Sequence, residues 1–245
     1  MIAAVVPAKG LAQAKGRLAA VLSDEERRRL ALAMLADVLA PLLAVPRIQA
    51  TAVVSSDSEV LALATSLGAQ AIVEPPPARG VNAALTYAAR AFPAAGGIEA
   101  LLVVPMDVPL LAAADVEAIL DALPFDCAQG RPTERGVVLC PSRAGGTSAL
   151  ALRPPDAIPF RFGPDSFAAH CHEAALRGLS PTVLPIESLM LDIDSPADLA
   201  NLLASPCPEL AERAHDTRSH RALRDMGLPE RLGLPPPAEA VNRSW

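Results

Sequence analysis

The chain has 245 residues, room for one large α/β domain or one domain with an appendage, and it is 51% hydrophobic but only 3% aromatic. A core of that make-up is built from Ala, Val, Leu and Ile, as in parallel sheets covered by helices. The formal charge of −6 excludes the broad basic face that nucleic acid or an anionic membrane surface requires, so an anionic ligand has to be held locally.

Mean hydropathy is positive, yet every apolar run stops well short of the roughly 20 residues of a bilayer span. Residues 2–8 enter a strand-like run with no basic leader before it, so a cytoplasmic location is expected. Cys127, Cys140, Cys171 and Cys207 are scattered without a CxxC pair, which suggests neither a disulfide framework nor a zinc knuckle. His170, Cys171 and His172 fall on a predicted helix, where consecutive residues point in different directions, so they are expected to form a partly exposed helix turn and not a metal site.

In chain order, residues 2–8 (IAAVVPA) read as a first strand, followed by a polar loop with Lys9, Lys15 and Arg17. Ser23 and Glu26 form a capping box for a long helix in which Leu30, Met34, Leu35, Val38 and Leu42 recur at helical spacing. Residues 52–56 give a strand, 57–67 a helix ended by Gly68, and 71–74 a third strand. After a proline turn at 75–77 come a helix at 81–92, a buried strand at 101–106 and a helix at 115–123. Residues 124–135 read as a polar loop. Strands at 137–141 and 148–152, a helix at 167–177, short strands at 183–186 and 190–193, and a helix at 196–203 complete the pattern. The alternation predicts one α/β domain over residues 1–205, with a mostly parallel sheet, helices on both faces and right-handed crossovers. From residue 206 to 245 the chain is Pro- and Arg-rich with little periodicity, and a loosely docked tail, dispensable for folding, is expected.

Ligands in such folds bind beyond the carboxyl ends of the strands. Lys9, Lys15 and Arg17 lie there after strand one and supply three cations for a triphosphate, in the absence of GxGxxG or a Walker lysine. Asp107 ends the buried strand in VVPMDVPLL. In LDIDSPADL, Asp192 and Asp194 are two apart, so an extended chain turns both to one side and Ile193 to the other. Carboxylates placed together call for a cation, and hard oxygen ligands suit Mg²⁺; alternatively Asp194 or Ser195 only caps the last helix. The glycine turn at 144–148 and the FGPDS segment at 162–166 offer two anion-ready turns on successive connections. Gly80 opens a helix on which Asn82 either caps or contacts a base.

Together VPAKGLAQAKGRL, RGVNAAL, VPMDVPLL, GGTSALALRPP, FGPDSF and LDIDSPADL resemble, in order over about residues 1–204, the 2-phospho-L-lactate or phosphoenolpyruvate guanylyltransferases of coenzyme F420 biosynthesis. The resemblance implies a Rossmann-like fold of the nucleotide-diphospho-sugar transferase type. It implies that Thr147, Gly163 and Ser166 hold the phosphorylated acid and that Asp107, Asp192 and Asp194 hold Mg²⁺. It further implies that Lys9, Lys15 and Arg17 face the phosphates of GTP, with Gly80 and Asn82 near the guanine or ribose. Ser148 departs from the family's usual asparagine and leaves the acceptor open among phosphoenolpyruvate, 2-phospho-L-lactate and 3-phospho-D-glycerate. A molybdenum-cofactor or sugar-phosphate nucleotidyltransferase shares the fold and metal logic but carries a glycine-rich loop after strand one that is missing here. A non-catalytic nucleotide-binding regulator has no need of all three aspartates. The sequence leaves a homodimer open.

Overall fold

The computed structural model describes residues 1–11, 15–76, 80–92, 97–124, 135–205 and 207–234. The run after Met1 forms β1 (Ile2–Pro7), whose alternate residues serve opposite faces: Ala4 and Val6 join one hydrophobic cluster, Ala3 and Val5 another. A strand covered on both faces has to be apolar throughout, which is why no polar alternation marks it. Parallel to β1 lie β2 (Ile48–Ser55) on one side and β4 (Ala100–Val103) on the other, with β3 (Gln70–Val73) beyond β2. β5 (Gly136–Pro141), β6 (Thr147–Arg153) and the short β7 (Thr182–Val183) complete a seven-stranded sheet of order β3-β2-β1-β4-β6-β5-β7. β6 runs antiparallel between β4 and β5 in an otherwise parallel sheet.

Helices cover both faces, as expected. α1 (Asp24–Ala44) starts at the predicted Ser23–Glu26 capping box and packs with α2 (Ser58–Ser66) and α4 (Ala113–Asp121) through Leu35, Val38, Val60, Ala64, Val116 and Ile119. On the other face α3 (Val81–Ala91) and α5 (Ser166–Ala175) contribute Leu85, Ala88 and Ala174. α6 (Pro196–Leu203) starts from a Ser195–Asp198 capping box.

Several boundaries differ from the sequence reading. β4 ends at Val103, before Pro105, which has no N–H to continue the ladder. The strand expected at 183–186 is cut to β7. Residues 190–193 are not a strand: a 3-10 turn at Glu187–Leu189 leads into an irregular extended segment. Leu191 and Ile193 turn into a third apolar cluster, and the Ile193 amide donates to the Asp107 carbonyl at 2.9 Å. Most of the loop at 124–135 lies outside the described residues, as do residues 235–245 with their three prolines.

The largest departure follows Ser205. In place of a loose tail the chain forms α7 (Pro208–His215), α8 (Arg218–Asp225) and α9 (Leu228–Arg231). Leu210, Ala214, Leu223 and Leu228 are buried in the third cluster with Leu30 and Met34 of α1 and with Leu199 and Leu202 of α6. Pro208 sits at the first helical position, where a missing N–H costs nothing, so here proline starts a helix. Each helix carries only one or two apolar anchors, too few to register as a period. Polar ties add to them: the Arg213 guanidinium lies 2.7 Å from the Asp115 carboxylate and donates to the Leu110 carbonyl at 3.3 Å.

Candidate active site at the carboxyl edge of the sheet

One edge of the sheet collects the loops that carry most of the ionisable residues singled out above. β1 and β4 point their carboxyl ends to it, which brings Lys9, Lys15, Arg17 and Asp107 there. β6 is antiparallel to β4, with Leu150 opposite Val103 and Leu152 opposite Leu101, so its amino end, Thr147, reaches the same edge. The amide of Arg143 in the β5–β6 turn donates to the Met190 carbonyl at 3.2 Å and draws in the segment leading to Asp192.

Lys15 lies at the centre of the charged half. Its ammonium is 2.9 Å from an Asp194 carboxylate oxygen and 3.1 Å from one of Asp107, and its side chain is only 7% exposed. Burial alone pushes the Lys15 pKa down; the two carboxylates outweigh it and raise the pKa, so Lys15 is charged. Lys15 adopts φ 56°, a left-handed conformation that a non-glycine residue holds only when its surroundings impose it. Burial pushes Asp194 up, but Lys15, and beyond it Arg17 and Lys9, hold its carboxyl below the usual value. Asp192 is raised, first by burial and then by Asp107, with Asp194 and Asp198 adding to it. Asp194 is no helix cap: Ser195 caps α6, and the Asp198 carboxylate accepts from both the Asp194 and Ser195 amides.

Among the described residues no three carboxylate, histidine or cysteine groups converge as a ready metal cage. Mg²⁺ does not need one, because it is typically held by one or two carboxylates plus water and substrate phosphate. The donor set fits such an ion: two carboxylates here already share one cation, and the third, Asp192, is close enough to Asp107 and Asp194 to feel their charge.

The second half is a polar cradle between the β5–β6 turn and the start of α5. Gly145 (φ 79°) turns the chain back, and its carbonyl accepts from the Phe167 amide at 3.3 Å. Opposite Cys140 and Pro141 the register shifts, so β6 carries one extra residue at Ser148, a bulge that re-aims the strand's first side chain. Thr147 donates its amide to the Ser166 hydroxyl at 2.9 Å, and both residues are buried. Gly163, at φ 143°, holds a backbone that other residues adopt only with strain, and among the described residues no side chain caps the start of α5. The whole combines a buried cation, clustered carboxylates and a hydroxyl-lined cradle on one edge.

A family model described as "Guanylyl transferase CofC like" matches residues 2–228, nearly the whole chain. The chain belongs to that family. It is 43% identical over 200 residues to a phosphoenolpyruvate guanylyltransferase of Sphaerobacter thermophilus, covering 81% of this chain and 91% of that one. A 2-phospho-L-lactate guanylyltransferase of Methanothermobacter thermautotrophicus is 36% identical, with 82% and 83% covered. A 3-phospho-D-glycerate guanylyltransferase of Phenylobacterium zucineum is 38% identical, with 84% and 92% covered. A solved structure assigned to the nucleotide-diphospho-sugar transferases, from Desulfovibrio desulfuricans G20, superposes with a TM-score of 0.71 at 16% identity over 94% of this chain and 96% of its own, and shows the fold.

In this guanylyl transferase the sequence-selected residues are not all equivalent. Lys15, Asp107 and Asp194 meet directly; Lys9 and Arg17 are exposed and act on Asp194 through their charge; Asp192 stands beside the cluster without an ion pair among the described residues. Gly80, at φ 86°, opens α3. Asn82 uses both ends of its amide on one residue: it donates to the Phe162 carbonyl at 3.0 Å and accepts from the Phe162 amide at 2.8 Å. It therefore braces the loop next to Gly163. The Ser148 hydroxyl is buried with no hydrogen-bond partner among the described residues. Two residues that the sequence did not single out matter to the geometry. Asp57, the cap of α2, accepts the Leu11 amide at 2.9 Å and anchors the cationic loop; a capping aspartate after strand two was the available signal. His170, expected on a partly exposed turn, is fully buried against Thr147. Among the described residues no helix is long and apolar enough to cross a membrane.

Proposed function

We propose that this guanylyl transferase moves GMP from GTP to the phosphate of a small phosphorylated carboxylic acid, with phosphoenolpyruvate as preferred acceptor, in coenzyme F420 biosynthesis in the cytoplasm. The observation that carries the reading is the Lys15 ammonium shared between Asp107 and Asp194, beside the Thr147–Ser166 cradle. The names of the relatives from Sphaerobacter and Methanothermobacter support the acceptor class.

The acceptor phosphate has a second pKa of about 6, so it is mostly dianionic at neutral pH and needs no general base. One of its oxygens attacks the α-phosphorus of GTP; that P–O bond forms as the bond to the β-phosphate's bridging oxygen breaks, and pyrophosphate leaves with the electron pair. Lys9, Lys15 and Arg17 offset the charge that grows on the leaving group, and hydroxyl and amide donors at Thr147, Gly163 and Ser166 orient the acid. Asp107 and Asp194, with Asp192 beside them, would hold Mg²⁺, which would supply further charge neutralisation for the triphosphate.

The test is competition among phosphoenolpyruvate, 2-phospho-L-lactate and 3-phospho-D-glycerate at equal concentration with GTP and Mg²⁺, the GMP adducts being separated by mass. A dominant phosphoenolpyruvate adduct with stoichiometric pyrophosphate is expected. A dominant 3-phosphoglycerate adduct overturns the preference, and no adduct with any acid overturns the reaction.

A further inference from the structure

His170 makes two hydrogen bonds that together fix the state of its ring. Nε2 lies 2.9 Å from the backbone N–H of Arg161, which can only donate, so Nε2 carries no proton. An uncharged ring must then hold its one proton on Nδ1. Nδ1 lies 3.0 Å from Thr147 Oγ1, and the direction of that bond follows: Nδ1–H donates and the Thr147 oxygen accepts. Thr147 thus spends a lone pair on the histidine and keeps its hydroxyl proton for something else.

The surroundings reinforce this state. His170 is fully buried, and Phe162 packs edge-on against it with ring centroids 4.9 Å apart. Burial holds its pKa down at about 4 despite the Ser166 carbonyl, which favours a proton on the ring. Ser166 is wired alike: its oxygen accepts the Thr147 amide, which leaves the Ser166 proton free as well. Two neighbouring hydroxyls at the edge of the sheet are both committed as acceptors toward the protein. The reverse tautomer, with the proton on Nε2, would consume the Thr147 proton and offer the crevice only a lone pair.

We infer that His170 is a positioning residue that locks the Thr147 hydroxyl as a hydrogen-bond donor aimed at an anionic oxygen of the phosphorylated acid. The role rests on the acceptor site proposed above. It gives the cradle a polarity, with the Thr147 and Ser166 hydroxyl protons both left for the ligand, that suits a phosphate or carboxylate better than an ammonium or other obligate donor.

The experiment is steady-state kinetics with GTP and phosphoenolpyruvate, combined with nitrogen-15 spectra of the imidazoles. In His170→Phe the KM for phosphoenolpyruvate rises about tenfold or more, as expected for losing a donor to a charged oxygen, while the KM for GTP stays within about twofold. Thr147→Val has the same effect, and the double variant is no worse than the more impaired single variant, because both remove one interaction. His170→Asn, whose amide N–H stands in for Nδ1–H, recovers most of the affinity. The wild-type spectra show His170 as the neutral Nδ1–H tautomer at pH 7. An Nε2–H tautomer or an imidazolium there, an Asn variant that folds yet is no better than Phe, or multiplicative effects in the double variant overturns the inference. If the wild-type chain makes no GMP adduct with any of the three acids, the acceptor site itself falls, whereas the nitrogen spectra still decide the direction of the His170–Thr147 bond.

Discussion

Asp37 in the middle of α1 and Ser219 in α8 lie 182 positions apart in the chain, and one Asp37 carboxylate oxygen accepts both the Ser219 amide at 2.8 Å and its hydroxyl at 2.6 Å. The other oxygen accepts the Arg218 amide at 2.8 Å, so a side chain of α1 serves the amino end of α8 from outside that helix.

A chain ended at Ala204 is therefore expected to lose thermal stability markedly or to aggregate, because it strips Leu210, Ala214, Leu223 and Leu228 from the cluster around Leu30 and Met34 and leaves Asp37 unpaired. Asp37→Ala in the full chain, which orphans two amides and a hydroxyl, should cost about 1 to 3 kcal/mol in a denaturant titration. A truncated chain that melts like the full one would show the terminal helices to be dispensable.

Asp107→Asn, Asp192→Asn and Asp194→Asn should each lower turnover by about a hundredfold or more with the fold intact, since each removes charge from the proposed Mg²⁺ site. Lys15→Met should also reduce turnover and, by releasing Asp107 and Asp194 from their ion pairs, shift the Mg²⁺ dependence. Rates measured across a Mg²⁺ series with far-ultraviolet circular dichroism alongside check this; near wild-type rate and metal dependence in any aspartate variant removes that residue from the site.

Asn82→Ala should raise the KM for the acid by about tenfold while changing the KM for GTP little, because both Asn82 hydrogen bonds go to Phe162 beside Gly163. Initial-rate measurements with each substrate varied in turn decide it; a larger effect on GTP would return Asn82 to the nucleotide.

Stability should fall with acidification between pH 6.5 and about 4, where His170 and His220, both buried and held to about 4 mainly by burial, stay neutral in the folded chain while their unfolded counterparts take up protons around the ordinary imidazole value of 6.5. The sign follows from linkage: in that window the unfolded state binds more protons, so stability rises with pH. Melting temperatures measured from pH 4.5 to 7 test this, and His220→Gln should flatten the slope; an unchanged slope would exclude that histidine as a source.

What local physics determines was legible in the chain alone. The apolar run of β1, the Ser23–Glu26 box of α1 and the Asp192/Asp194 alternation about a buried Ile193 are each set by residues within one turn or one pleat of each other. The same locality placed the basic loop and Asp107 beyond the carboxyl ends of β1 and β4, and so at the edge where the ionisable residues meet.

Tertiary structure alone decided what depends on distant partners. The antiparallel insertion of β6 brings Thr147 to the carboxyl edge, and hydrogen bonds between segments 80 and 23 positions apart assign Asn82 to Phe162 and His170 to Thr147. His170 looked like part of a partly exposed turn because a helix period does not say which face another strand will cover. The terminal helices looked like a tail because each has too few apolar residues to be stable alone, and only burial against α1 and α6, long-range in sequence, stabilises them.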